Sequence, residues 1–236
     1  MRPIHLLLAL LAGGMLAAAA PVPPQAKPAA SPQARDWRAT VVRTPAGAYV
    51  IGNPAAKVKL IEYLSYTCPH CAHFVAQSKA PLKDDLVRRG VVRVEVRHAV
   101  RDPLDMAAAL LARCAGPRGF AGASEAIFAA QQQWYQQGAA WWQANAAQLQ
   151  SLSEPARLKA AARASGLIQL MRGRGMTPAT IDRCFATPAD VNQLAAMADA
   201  AWAAIDGTPA FVINGKPGGG GTWETLEPEL RAAGAQ

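Results

Sequence analysis

A pair of cysteines between a predicted strand and a predicted helix constrains the fold most strongly. Cys68 and Cys71 follow directly after residues 58–64, Val-Lys-Leu-Ile-Glu-Tyr-Leu, a segment rich in strand formers. Pro69 suits the first turn of a helix, because the N–H that it lacks would have no partner there. Valines alternate with charged residues over residues 92–96, which predicts a second strand. Together these segments predict a β-α-β unit.

The spacing of the two cysteines suits redox chemistry. Cys68 would lie at the N-terminus of the helix, where the positive end of the backbone dipole lowers the pKa of a thiol. A stabilised thiolate is a good leaving group, so an oxidised Cys68–Cys71 pair would be a strong oxidant of substrate dithiols. His70 can add a donor or a positive charge near the sulfur. Cys71 lies deeper and is better placed to resolve a mixed disulfide.

Two other interpretations of this pair stay open, a zinc site and an inert structural disulfide. Zinc needs two further ligands, and the sequence has no second Cys-x-x-Cys and no His-x-x-x-His with suitable spacing. His73, two residues beyond Cys71, keeps the metal interpretation open. We predict redox chemistry that needs neither a metal nor a cofactor.

Glu62 interrupts the apolar face of the first predicted strand. Counting by two places it on the same face as Val58, Leu60 and Leu64. Burial there would raise the pKa of its carboxyl group and make it a candidate proton acceptor for Cys71 when that thiol attacks. The alternative is a strand end at which Glu62 faces water.

The remainder of the chain predicts an α/β fold in two sequence pieces with a helical insertion. Residues 36–100 and 205–236 form one domain, and residues 101–204 form the insertion. Within the insertion, helices are predicted at 104–115, 124–137, 140–149 and 155–170, and two more begin at Thr177-Pro178 and Thr187-Pro188, each with an N-cap followed by proline. The C-terminal piece is predicted to contain a strand at 210–213, a turn at Asn214-Gly215, a hairpin connection at 218–221, Trp223 on a partner strand, and a helix at 226–233.

Several other side chains in these segments are assigned structural roles. Large aromatic residues within predicted helices usually pack in the core, which is the role predicted for Trp134, Trp141, Trp142 and Trp202. A peptide-binding groove is the alternative for these four residues. His98 is interpreted as a surface residue or a hydrogen-bonded structural residue without a catalytic role.

Cys114 and Cys184 both fall in the helical insertion. In an exported protein they could form a structural disulfide. Closing a loop of about 70 residues would stabilise the fold by roughly 4 kcal/mol in the chain-entropy estimate. Two free, buried thiols are the alternative.

The N-terminal residues have the composition of an export signal followed by a linker. Arg2, a short apolar stretch and a run of alanines have the order of a cleavable signal peptide, predicted over residues 1–20, with a retained membrane anchor as the alternative. Residues 21–35 are rich in proline and alanine and predict a linker. Export would place the protein in the periplasm, where thiol pairs can stay oxidised.

Nucleic acid is not predicted as a partner. The chain has 24 Lys and Arg against 16 Asp and Glu, a formal net charge of +8. The basic residues are dispersed, and no run is dense enough to follow a phosphate backbone.

Two stretches resemble the DsbA-like branch of the thioredoxin superfamily. They are residues 60–74, Leu-Ile-Glu-Tyr-Leu-Ser-Tyr-Thr-Cys-Pro-His-Cys-Ala-His-Phe, and residues 207–215, Gly-Thr-Pro-Ala-Phe-Val-Ile-Asn-Gly. The spacer Pro69-His70 matches the family, as does an acid at Glu62, six residues before the first cysteine. The resemblance implies a thioredoxin fold with an inserted α-helical domain. It also implies a cis peptide bond before Pro209, which would lie against the disulfide.

The same resemblance implies a function. The protein would be a periplasmic thiol:disulfide oxidoreductase that introduces disulfides into exported polypeptides with free thiols, through Cys68-Cys71. A membrane redox partner of the DsbB type would then reoxidise it. Thr208 departs from the pattern, since oxidases of this family tend to carry Val before that proline and isomerases tend to carry Thr. A disulfide isomerase or reductase of the same fold therefore stays an alternative.

Two further alternatives concern the loop and the class of protein. Thr208 would present its backbone to an extended substrate peptide, or Thr208-Pro209 would be an ordinary turn. The alternative from a different class is a non-catalytic periplasmic binding or chaperone module. In such a module the cysteine pair would only stabilise the fold as a structural disulfide.

Overall fold

The computed structural model describes residues 35–186 and 188–236. The predicted signal peptide, 1–20, and the predicted linker, 21–35 apart from its last residue, lie outside these ranges. Thr187, a predicted N-cap, also lies outside them. Within the described ranges, no helix has both the length and the apolar character needed to cross a bilayer.

The strands of the described residues are β1 (Val41–Arg43), β2 (Tyr49–Ile51), β3 (Val58–Leu64), β4 (Val92–His98), β5 (Ala210–Ile213) and β6 (Lys216–Gly218). They form one mixed sheet at the centre of the fold, in the order β1-β2-β4-β3-β5-β6. The pair β3 and β4 is parallel, and each of the other neighbouring pairs is antiparallel. A parallel pair needs a crossover connection, which helix α1 (Pro69–Ser78) provides, so the predicted β-α-β unit is confirmed.

The helices fall between β3 and β4, between β4 and β5, and after β6. They are α1 (Pro69–Ser78), α2 (Pro103–Cys114), α3 (Gly116–Ala129), α4 (Gln131–Ala144), α5 (Ala146–Leu149), α6 (Glu154–Ala164), α7 (Leu167–Gly173), α8 (Pro178–Cys184), α9 (Pro188–Trp202) and α10 (Trp223–Ala232). A π-helical segment, Lys79–Val87, continues α1. This is the thioredoxin fold with an additional helical region between β4 and β5.

Helix α2 is the centre of that helical region. It packs against α3, α6, α8 and α9. Its residues from Leu104 to Arg113 are all buried, and several of them are alanines that let neighbouring helices approach closely. Asp102 caps its first turn by accepting hydrogen bonds from two backbone N–H groups, and Pro103 occupies the first helical position.

The strands nearest the cysteines match the sequence-based prediction closely. Residues 58–64 and 210–213 form β3 and β5 as predicted, and β4 extends the predicted strand to His98. Strands β1 and β2 were not predicted, because each has only three residues and neither shows a clear alternation.

Three predicted helices are wrong in extent. The helix predicted at 124–137 is two helices, α3 and α4, that meet at Ala130 without a glycine or proline to mark the break. The helix predicted at 140–149 is divided at Asn145. The helix predicted at 155–170 is interrupted at Gly166, whose φ of 84° lies in the left-handed region that glycine adopts without steric cost.

The prediction that Trp223 lies on a strand is wrong. Residues 216–218 form the partner strand β6, and Asn214-Gly215 makes the tight turn before it with φ values of 50° and 85°. The glycines beyond β6 therefore connect that strand to a helix rather than close a hairpin. Trp223 begins α10, because Thr222 and Thr225 form a capping box that starts the helix there.

Two assignments of single side chains are also corrected. Trp134 is buried, but Trp202 is 38 % exposed because it is the last residue of α9, where its indole N–H donates to the carbonyl of Val100 at 2.9 Å. His98 is neither at the surface nor hydrogen-bonded through its ring. It is 2 % exposed, and neither ring nitrogen has a partner among the described residues. Burial lowers the pKa of His98 to about 3, with Arg113 adding to this effect.

A disulfide joins the end of α2 to the end of α8. The sulfurs of Cys114 and Cys184 are 2.11 Å apart, and their Cα atoms are 5.6 Å apart. The bond closes a loop with a sequence separation of 70, so it restricts the unfolded chain across most of the helical region.

Replacing both of these cysteines, Cys114→Ala and Cys184→Ala, should lower the free energy of unfolding by roughly 4 kcal/mol, because the unfolded chain regains the entropy of the open loop. Urea unfolding of the oxidised proteins measures this difference. Cys114→Ala alone is the control, since breaking the bond once should account for most of the loss. A double variant as stable as the parent protein would show that the bond contributes nothing.

Candidate active site

Cys68 lies at the N-cap of α1, with extended backbone angles and Pro69 as the first helical residue. Neither Cys68 nor Cys71 is in a disulfide in this structure. Cys68 is 3 % exposed and Cys71 is fully buried. Pro69 and His70 are exposed on the surface beside them. The two sulfurs therefore differ in environment, although they lie within one turn of the same helix.

Hydrogen bonds at the helix N-terminus lower the pKa of Cys68 to about 5. The largest cause is the Cys71 thiol, which donates to the Cys68 sulfur. The side chain of Thr208 and the backbone N–H groups of Cys71 and His70 lower the pKa further, while burial opposes them. Cys68 is thus suited to be a thiolate at neutral pH, as the sequence predicts.

The same surroundings have the opposite effect on Cys71. Burial is the largest cause that raises the pKa of Cys71, and its hydrogen bond to the Cys68 sulfur raises it further. The backbone N–H of Ser65 lies 3.5 Å from the Cys71 sulfur and lowers that pKa. Cys71 is therefore a protonated thiol while Cys68 carries the charge.

The loop before β5 lies against the Cys68 sulfur. The Thr208–Pro209 peptide bond is cis. The carbonyl oxygen of Thr208 is 3.2 Å from the Cys68 Sγ atom and accepts a hydrogen bond from the thiol form. Strand β5 pairs antiparallel with β3, with Ala210 opposite Tyr63, and this register brings the loop to the end of β3 where α1 begins.

Glu62 lies in the middle of the sheet, on the strand β3 that leads into this site. It pairs with Val96 of β4 and Phe211 of β5, and it is 1 % exposed, so its predicted burial is confirmed. Neither carboxylate oxygen has a hydrogen-bond partner among the described residues. Burial raises the pKa of Glu62 to about 7, and Lys83 acts against this rise. Its role as a proton acceptor for Cys71 stays a prediction.

Sequence reasoning missed the side chains that hold the segment between β3 and α1. Asp105 is buried and accepts hydrogen bonds from the Ser65 hydroxyl at 2.6 Å, the Tyr66 N–H at 2.8 Å and the Arg101 N–H at 3.0 Å. Asp102 accepts from the Thr67 hydroxyl at 2.8 Å. The start of α2 therefore fixes the residues that lead into Cys68.

A second missed contact comes from the first residue of α4. The Gln131 side-chain amide donates to the carbonyl of Tyr66 at 2.7 Å and to the carbonyl of Cys68 at 2.8 Å. The Asp102-Pro103 start of α2 was recognisable as a helix cap, but nothing in the sequence around Gln131 indicates a partner more than 60 residues away.

No metal centre is assigned. Among the described residues, no three His, Cys, Asp or Glu side chains lie together as metal ligands would. His73 is exposed on α1, so it does not join the two cysteines in the interior.

Comparison with known proteins matches a thioredoxin family model and proteins named for disulfide chemistry. The family model described as Thioredoxin matches residues 44–228. A protein-disulfide isomerase structure from Novosphingobium aromaticivorans is 38 % identical with a TM-score of 0.71, covering 78 % of this chain and 95 % of that chain. The alpha-DsbA1 structure from Wolbachia pipientis is 20 % identical with a TM-score of 0.59, covering 79 % and 90 %.

A Rickettsia bellii protein provisionally named a protein-disulfide oxidoreductase is 34 % identical over 67 residues. That stretch is 28 % of this chain and 26 % of the relative, so the match spans about a quarter of the relative's length. The match of the family model extends from the turn before β2 into α10 and includes both cysteines and the Thr208–Pro209 loop. The chain therefore belongs to the thioredoxin family, and it has the fold of the DsbA-like proteins.

Proposed function

We propose that the protein is a periplasmic thiol:disulfide oxidoreductase that introduces disulfides into exported polypeptides by exchange through Cys68 and Cys71. The observation that carries this proposal is the unequal pair of sulfurs at the start of α1. Cys68 has a pKa lowered to about 5, and Cys71 beneath it has a raised pKa. A disulfide whose outer sulfur is a stable thiolate once reduced is a strong oxidant.

The exchange proceeds in two steps that move two electrons from the substrate. A substrate thiolate attacks the Cys68 sulfur, the Cys68–Cys71 bond breaks, and Cys71 leaves as a thiolate that takes up a proton. A second substrate thiolate then attacks the substrate sulfur of the mixed disulfide. The substrate gains its disulfide, and Cys68 leaves as a thiolate that the hydrogen bonds at the helix N-terminus stabilise.

The backbone of the Thr208–Pro209 loop would hold the substrate during these steps. Thr208 lies beside the Cys68 sulfur and directly before β5, so an extended peptide could pair with its backbone as an added strand. His70, exposed next to Cys68, would add a donor near the mixed disulfide.

The proposal extends to location and partners. The predicted signal peptide supports export to the periplasm, and the Cys114–Cys184 disulfide fits an oxidising compartment. Exported polypeptides with free thiols would be the substrates, and a membrane protein of the DsbB type would reoxidise the pair. We also propose that residues 36–100 and 205–236 form the thioredoxin-like domain and that residues 101–204 form its insertion.

A disulfide isomerase or reductase is the second candidate. Thr208 before the cis proline favours it, and the Novosphingobium structure with 38 % identity is named a protein-disulfide isomerase. The same two sulfurs would serve, but Cys68 would attack substrate disulfides in the reduced protein.

Oxidative folding of a reduced, multi-cysteine protein distinguishes an enzyme from a binding module. The oxidised protein should form substrate disulfides, one pair for each molecule, and Cys68→Ser should abolish this transfer because the mixed disulfide cannot form. Mass analysis after alkylation counts the thiols that remain in the substrate. The control is His73→Ala, a change at an exposed position of α1. A Cys68→Ser variant that oxidises the substrate as fast as the parent protein would contradict the proposed function.

Refolding of a scrambled substrate separates the two directions of catalysis. As an oxidase, the reduced protein should restore activity to the scrambled protein slowly, whereas a Cys68 that attacks wrong disulfides would restore it quickly. Recovered substrate activity over time is the measurement. Rapid recovery would favour the isomerase over the oxidase.

We further propose that Glu62 accepts the proton of Cys71, and its burial gives a stability test. For a carboxyl group whose pKa rises from 4.5 in the unfolded chain to about 7 in the folded protein, the folded state binds more protons, so stability falls as pH rises through this window. Glu62→Gln should remove that fall and stabilise the protein by roughly 3 kcal/mol at pH 8.

Urea unfolding between pH 4 and pH 8, with both proteins in the same redox state, measures this difference. Glu154→Gln, the same change at an exposed residue of α6, is the control. Parallel stability curves for the parent protein and Glu62→Gln would show that Glu62 is not held with a raised pKa.

A further inference from the structure

We infer that Asp105 is a positioning residue for Cys71, because it holds Ser65 so that the Ser65 backbone N–H faces the buried sulfur. This inference rests on the proposed function, since it assigns a step of that exchange to the Asp105–Ser65 contact. The step is the attack of Cys71 on a mixed disulfide at Cys68, together with its reverse.

The contact begins with three hydrogen bonds to one carboxyl group. Asp105 Oδ2 accepts from the Ser65 hydroxyl at 2.6 Å and from the Arg101 N–H at 3.0 Å, and Oδ1 accepts from the Tyr66 N–H at 2.8 Å. Two of the three donors belong to the turn that connects β3 to α1. The position and orientation of that turn therefore depend on Asp105.

Ser65 transmits this constraint to the sulfur. Its backbone N–H lies 3.5 Å from the Cys71 Sγ atom, and this contact lowers the pKa of Cys71 against the effect of burial. Negative charge develops on that sulfur whenever Cys71 attacks or leaves. At a buried sulfur such as that of Cys71, a directed N–H group stabilises such a charge more strongly than it would in water.

Burying the carboxyl group of Asp105 costs free energy of folding, so a structural role alone does not explain this residue. It is 1 % exposed, and no Lys or Arg among the described residues forms an ion pair with it. A buried carboxyl group costs free energy unless its oxygens are hydrogen-bonded, and here two of the three compensating donors come from the turn next to the reactive pair. Gln131 donates to the carbonyls of Tyr66 and Cys68, but among the described residues its side chain forms no hydrogen bond with Ser65.

An aromatic disulfide reagent separates the two cysteines by time. In the first phase, the Cys68 thiolate attacks the reagent, forms a mixed disulfide and releases one aromatic thiolate. In the second phase, Cys71 loses its proton to a base and attacks the Cys68 sulfur, which forms the Cys68–Cys71 bond and releases a second aromatic thiolate. Stopped-flow absorbance of the released thiolate follows both phases.

Asp105→Asn should slow the second phase by about tenfold, the effect of losing one hydrogen bond to a charged group, while the first phase changes little. Ser65→Ala, which keeps the backbone N–H but loses the hydroxyl bond to Asp105, should slow the second phase in the same direction and serves if Asp105→Asn folds poorly. Asp182→Asn is the matched control, since Asp182 is an exposed carboxylate of α8 paired with Lys159.

Three results would overturn the inference. The second phase could keep its rate in both variants, or both phases could slow by the same factor. Gln131→Leu, which removes two hydrogen bonds to the same segment but none to Ser65, could also slow the second phase as much as Asp105→Asn does. A parent protein that releases only one thiolate for each molecule would instead overturn the proposed function, so the two failures are distinguishable.

Discussion

The reactivity of this site depends on the hydrogen bonds that converge on the Cys68 sulfur. The Cys71 thiol is the strongest of these donors, and the backbone N–H groups of the first turn of α1 act with it. Those N–H groups are free to face the sulfur because the first turn of a helix has no intrahelical acceptor for them, and Pro69 at the first helical position adds no further donor. The remainder of the fold keeps this geometry in place from three sides: the sheet below, the cis-proline loop beside it, and the start of α2.

This arrangement places polar groups in the interior, and burying them costs free energy of folding. Neither carboxylate oxygen of Glu62 has a hydrogen-bond partner among the described residues, and two of the three donors to Asp105 belong to the turn next to the reactive pair. Both carboxyl groups have pKa values raised to about 7 by burial, so each can exchange a proton near neutral pH. An apolar core would be more stable at these positions. Their presence is explained if one accepts a proton from Cys71 and the other orients the donor that faces it.

Local sequence patterns predicted the parts of the site that depend on neighbours along the chain. The alternation in β3 placed Glu62 on the buried face, and the proline after Cys68 marked the start of α1. Strands β1 and β2 are too short to show alternation.

The break at Ala130 was missed because no glycine or proline marks it. The start of α10 at Trp223 was missed because it depends on a Thr222–Thr225 cap that looks like a loop in sequence. Asp105 and Gln131 were missed because their partners lie far away in the chain and only the packing of α2 and α4 brings them together.

The rate of alkylation of Cys68 as a function of pH tests the central claim most directly. Because only the thiolate reacts, the midpoint of the rate profile of the reduced protein reports the pKa of Cys68. The account predicts a midpoint near 5, so that the group is fully reactive in mildly acidic solution. A midpoint near the ordinary value of 9.0 would show that the helix N-terminus and the Cys71 thiol do not stabilise the charge, and it would contradict the account.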